Sequence, residues 1–164
     1  MQHFDNDFFA NLVNTAQASE RRRSNVNIHD DYQSPVQRLF IAMEPDSYVR
    51  PHKHIESNKW EFFFVVKGSL LFLMYDDKGV VTERITLSAE GDQQGLEIPP
   101  NVWHSTIALS AGTVFFEVKE GPYTVTTDKG FANWAPAEGD STVPAFIQHL
   151  SLLNMGDDAS LFSA

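Results

Sequence analysis

The sequence predicts an all-β jelly-roll barrel with one helix before it and one short helix after it. Between residues 36 and 119, short runs that are apolar on alternate positions, or apolar throughout, follow one another at close spacing. Gly, Pro and Asp turn signals separate them, which is the pattern of a sandwich or barrel rather than of a helical protein. Outside this stretch the apolar period lengthens. Phe8, Phe9, Leu12, Val13 and Ala16 form one helical stripe, and Phe146, Ile147, Leu150 and Leu153 form another.

Taken in order, residues 5–22 should form the first helix. Asp5 or Asn6 can cap it, and Asp7 sits well beside the positive end of the helix dipole. Arg21, Arg22 and Arg23 are expected at its negative end. Their functional alternative is an anion site near the mouth of the barrel. Residues 25–34 are polar, with Asn25, Asn27 and His29 on alternate positions. A lone His such as His29 is ordinarily a satisfied polar group, and contact with a ligand is its second reading.

The expected strands are residues 36–44, 48–54, 60–66, 69–75, 80–87, 95–98, 103–109 and 113–119. Lys67-Gly68, Asp76 to Gly79 and Pro99-Pro100 are the clearest turns between them. Residues 62–66 and 70–75 are apolar on both faces, so one face must line the barrel and the other must be covered. Either the first helix or a second subunit can provide the cover, and a homodimer is expected. Beyond Lys119 the pattern loosens, and Pro144 suits the first turn of a C-terminal helix over 143–154. The chain divides into a helix with its polar connection (1–34), the barrel (35–140), and a helix with its tail (141–164).

Composition narrows the function. At 164 residues, one domain is the default. There is no Cys, which removes disulfides and thiolate metal ligands. Net charge is −10, which argues against a nucleic-acid partner, because phosphate neutralisation drives that binding. The N-terminal stretch is acidic and lacks a basic region ahead of an apolar one, so a signal peptide is not expected. No apolar run reaches the roughly 18 residues a membrane helix needs. A cytoplasmic protein whose partner is a small molecule, not a membrane, is the expectation.

The stretch PHKHIESNKWEFFFVVKG, residues 51–68, carries the chemistry. His52 and His54 are two apart, so in extended backbone both imidazoles point the same way. Glu61 opens the next apolar run, and His104 follows the Pro99-Pro100 turn. Three imidazoles and one carboxylate suit a single divalent transition metal, Fe, Mn, Ni or Zn, better than Ca or Mg. Tyr48 and Arg50 share parity with the two histidines and could stand above them. Arg38 and Trp103 are further candidates for the wall. Glu117 alternates with Phe116 and Val118 and could face inward.

The order His52, His54, Glu61, Gly68 and then Gly95, Pro99, His104 resembles the two motifs of the cupin superfamily. The gap between His54 and Glu61 is longer than that pattern has, and residues 55–59 read as an inserted loop. Glu56 lies in it, but the Glu61-to-Gly68 spacing favours Glu61. The stretches RRRSNVNIH, PVQRLF, YVRPHKH, KWEFF, FEVKEGPY and WAPAEG resemble the WbuC-family cupin fold metalloproteins. That resemblance implies a cupin double-stranded β-helix, a bound metal held by His52, His54, Glu61 and His104, and an association with surface-polysaccharide metabolism. It implies no settled reaction.

Three readings of function stay open on the sequence. One is a metal-dependent enzyme, an isomerase or epimerase, acting on a small polar molecule such as a sugar derivative. Another is a metal-supported protein that binds or senses a sugar without turnover, and the third is a cupin dioxygenase. Arg38, Tyr48, Arg50 and Glu117 are the expected substrate contacts, and no catalytic residue is singled out.

Overall fold

The computed structural model describes residues 1–163, except the side chain of residue 128. Helix α1 (Asn6–Ala18) is followed by β1 (Arg23–Asn27), β2 (Val36–Met43), β3 (Glu61–Lys67), β4 (Ser69–Tyr75), β5 (Val81–Ser88), β6 (Gly95–Ile98), β7 (Trp103–Ala108), β8 (Thr113–Glu120) and helix α2 (Val143–Leu152). Two sheets face each other, one of five strands in the order β1-β2-β8-β3-β6 and one of three in the order β5-β4-β7. Every pairing is antiparallel. The expected jelly roll with two flanking helices is the fold.

Alternation along the strands builds the layers. In β4, Leu70, Phe72 and Met74 point into the barrel with Met43, Phe63, Val65 and Phe115. Their neighbours Leu71, Leu73 and Tyr75 point out and pack under Phe146 and Leu150 of α2. On the other sheet, Phe40, Ala42 and Val114 point out and pack under Leu12 and Ala16 of α1. The chain's own two helices therefore cover the outer faces of β4 and of β2 and β8, whereas Phe64 on the outer side of β3 stays exposed.

The α1 cap is as expected: the Asp5 carboxylate accepts from the Phe8 amide at 2.9 Å. The end of α1 is not. The helix stops at Ala18, because the chain turns through Arg22 in a left-handed conformation (φ 55°) and enters β1. Of the three arginines, Arg22 still caps the helix, its guanidinium donating to the Gln17 carbonyl in the last turn. Arg22 pairs with Asp46 at 2.9 Å, and Arg21 and Arg23 both pair with Glu138.

A second difference concerns residues 48–54, which form no strand. Only His52 makes a ladder contact, exchanging backbone hydrogen bonds of 2.9 Å with His104. Pro51 has no N–H to donate to a ladder. Flanking contacts hold the segment instead: Lys53 N–H donates to the Gly130 carbonyl at 2.8 Å, and Ala132 N–H to the Pro51 carbonyl at 2.9 Å.

Candidate metal centre

Four side chains meet at one end of the barrel, each brought there by a different constraint. His104 lies near the start of β7, and its backbone pair with His52 fixes one imidazole beside the other, 4.4 Å between ring centres. The local chain is extended, so His54 falls on the same side and Lys53 on the opposite one, over the Trp103 ring at 4.5 Å. Glu61 opens β3 in the other sheet, opposite Ile98 and Lys119. One ligand atom from each of His52, His54, Glu61 and His104 lies within 4.8 Å of all the others.

The donor set fits a divalent metal. The Nδ1 of His52 lies 2.9 Å from the Arg50 carbonyl and that of His104 lies 3.0 Å from the Val102 carbonyl. A carbonyl only accepts, so each Nδ1 carries the proton and each Nε2 presents a lone pair. His54 Nε2 is 3.0 Å from one oxygen of Glu61, and His104 Nε2 is 3.1 Å from the other. These approaches lack hydrogen-bond angles, and His54 Nε2 and Glu61 Oε2 are buried without a hydrogen-bond partner among the described residues. Buried groups of this kind are ordinarily satisfied. A cation accepting all four lone pairs satisfies them together.

The electrostatics agree. Burial, reinforced by the neighbouring His104, pushes the His52 imidazole down to about 3, so it is neutral at ordinary pH. Burial alone would raise the Glu61 carboxyl, but His104, His54 and the Lys119 ammonium outweigh it and hold it well below the usual carboxylate range. Burial likewise opposes a charge on His104, yet Glu61 raises its pKa. The carboxylate thus attracts positive charge to this point.

The four groups form one wall of a cavity of about 230 Å³. Its lining also includes the apolar Met43, Phe63, Phe72 and Phe115 and the polar Thr106, Glu117 and Lys119. The Lys119 ammonium is 2.6 Å from Glu117 and 3.7 Å from Glu61. Burial would lower its pKa, but the two carboxylates raise it, so the ammonium stays charged. Glu56 lines the mouth of this cavity outside the four-membered cluster.

Among the expected substrate contacts, the structure brings only Glu117 into this cavity. Arg38 is on the outer side of β2, where it donates to the Ile28 carbonyl at 3.2 Å. Tyr48 is buried in the core beneath α2, and its hydroxyl donates to the Pro136 carbonyl at 2.9 Å. Arg50 lines an adjoining space with His52. Trp103 turns outward and donates to Asp77 at 2.9 Å. The parity that linked Tyr48 and Arg50 to the histidines presupposed a regular strand, and none forms there. Lys119 went unnoticed, although Phe115, Glu117 and Lys119 share one parity on β8.

Solved structures similar to this chain are cupins. A deletion mutant of Bacillus subtilis oxalate decarboxylase OxdC superposes with a TM-score of 0.50 at 21% identity, over 68% of this chain and 28% of that one. KdgF from Halomonas sp. gives 0.48 at 14% identity, over 62% and 82%. The Cupin_2 domain of an XRE family transcriptional regulator from Enterobacter cloacae gives 0.47 at 17% identity, over 62% and 98%. At these identities the likeness is one of fold alone. No curated protein matches the sequence. Residues 4–87, just over half of the chain, match the family described as "Domain of unknown function (DUF6016)", and the chain belongs to that family.

Proposed function

We propose that this chain is a metal-dependent cupin that acts on a small polar molecule, a sugar derivative of surface-polysaccharide metabolism, as its resemblance to the WbuC family implies. The observation that carries the metal is the convergence of four lone-pair donors within 4.8 Å, two of them aimed by carbonyls behind their rings. When bound, a divalent cation supplies Lewis-acid polarisation of a carbonyl or hydroxyl oxygen. The imidazole-rich set favours Fe, Mn, Ni or Zn.

The buried Glu117–Lys119 pair favours turnover over binding alone. Glu117, ion-paired at 2.6 Å, lines the same cavity as the histidines and can accept a proton from a bound ligand. The Lys119 ammonium can stabilise negative charge that develops on the ligand. Met43, Phe63, Phe72 and Phe115 give the same space an apolar side. Isomerisation or epimerisation of a sugar derivative needs these functions.

Elemental analysis of protein purified without added metal tests the centre. One divalent transition metal per chain is expected, with His52→Ala and His104→Ala losing it while their circular dichroism remains that of a folded barrel. Full metal content in either variant refutes the ligand set. Incubating loaded protein with sugar phosphates and sugar nucleotides then separates the classes: ligand affinity without product, for every metal, leaves a binding protein.

A further inference from the structure

A second chamber, of about 330 Å³, adjoins the metal cavity. Its wall includes Arg21, Arg23, Arg50, His52, Phe131 and Glu138. Arg23 and His52 line both spaces, so the two chambers share a partition. In a chain of net charge −10, three guanidinium groups here face one lining carboxylate among the described residues.

That one carboxylate is already divided. Arg21 gives Glu138 hydrogen bonds of 2.6 and 2.9 Å, and Arg23 gives it two more of 3.1 and 3.0 Å. Burial lowers the pKa of the Arg23 guanidinium, and the neighbouring Arg21 charge adds to this, against the opposing pull of Glu138. Arg50 has no carboxylate partner among the described residues. Its Nη2 donates to the Ala132 carbonyl at 2.7 Å, and the guanidinium lies 5.4 Å from the Phe131 ring centre. Its Nε is buried and has no hydrogen-bond partner among the described residues. A structural ion pair needs one guanidinium for Glu138. A third, held rigidly by a backbone carbonyl and an aromatic ring with an N–H left over, is the arrangement that recognises a planar or tetrahedral oxyanion.

We propose that this chamber binds the phosphate or carboxylate group of an anionic ligand, with Arg50 as a principal donor. Because the chamber abuts His52, the sugar derivative of the proposed function is then an acidic or phosphorylated one. This last step rests on that function, whereas the anion site itself does not, since guanidinium groups bind an oxyanion with or without the metal.

The test is calorimetric titration of the full chain, freed of metal by chelation, with inorganic phosphate and with glucuronate. Binding of either supports the site, and the tighter of the two identifies the group it serves. Arg50→Gln should weaken binding by roughly tenfold or more, the worth of a charge-assisted hydrogen bond. Glu138→Gln should tighten it, because Arg21 and Arg23 then turn to the ligand. A merely structural role for these residues predicts no such tightening. Because the titration uses metal-free protein, phosphate binding is read without the metal ligands, so failure of the metal reading and failure of the anion site are told apart. Failure of both the parent and Glu138→Gln to bind either probe at millimolar concentration overturns the proposal. So does an Arg50→Gln variant that binds as tightly as the parent, and Glu138→Gln keeps the question answerable if Arg50→Gln does not fold.

Discussion

Replacing Lys119 with Met keeps the length of the stem and removes the ammonium that separates two buried carboxylates. At 2.6 Å from Glu117 and 3.7 Å from Glu61, that ammonium has gross attractions of about 6 and about 4 kcal/mol at an effective dielectric constant of 20. Desolvation of the three ions offsets much of this, so the pair is not worth its gross value. Removing only the cation is different, because Glu117 and Glu61 then stay buried beside each other without compensation. Breaking one side of a buried pair costs about 3–5 kcal/mol. For a domain of this size that lowers the thermal midpoint by roughly 6 to 20 °C. The raised Lys119 pKa places this contribution at all pH values below the strongly alkaline range, so a neutral buffer measures it in full. Urea denaturation of chelator-treated protein is the assay, run as a cycle with Glu117→Gln and with the double variant. The double variant should recover at least about 1 kcal/mol relative to the sum of the singles. Additivity within roughly 0.5 kcal/mol, or a Lys119→Met variant as stable as the parent, refutes the ion-pair account.

Two further outcomes follow from the same structure. Gly68 sits at φ +77°, and a Cβ there would lie 2.5 Å from Thr113 Oγ1 and 2.7 Å from Ser110 Oγ. Gly68→Ala should therefore cost more than the roughly 1–2 kcal/mol of the left-handed conformation alone, and an unchanged denaturation midpoint contradicts this. At Glu138, burial works against ionisation, but Arg21 and Arg23 outweigh it and hold the carboxyl below its ordinary value. A depressed carboxyl contributes stability above its unfolded pKa of about 4.3 and loses it as pH falls through the folded value. Glu138→Gln should flatten the acid limb of the thermal-midpoint profile, by a small, salt-sensitive amount because the group is partly exposed. Parallel limbs for parent and variant sink the argument.

What could be read from the sequence was whatever the chain decides locally. Residues 69–75 and 95–98 are strands with the expected ends, because turn residues bound them and their side chains must alternate between two apolar layers. His52 and His54 were legible for the same reason, since a two-residue spacing in extended chain needs no regular ladder to put two rings on one side, and Glu61 and His104 joined them through the order of the cupin motifs they resemble. What stayed hidden depended on partners far along the chain. Tyr48 turns away from the histidines because its hydroxyl finds Pro136, 88 residues on, and Arg50 lines the adjoining space beside His52 because its guanidinium finds Ala132, 82 residues on. Arg21 and Arg23 leave the helix end for Glu138, more than a hundred residues away. Lys119 is the instructive exception. Its parity with Phe115 and Glu117 already pointed it inward, but a lysine near a strand end is ordinarily solvated. Glu61, arriving from the neighbouring strand, joins Glu117 in making a buried ammonium favourable there. The residue that most changes the chemistry available beside the histidines is thus one whose position was readable and whose reason was not.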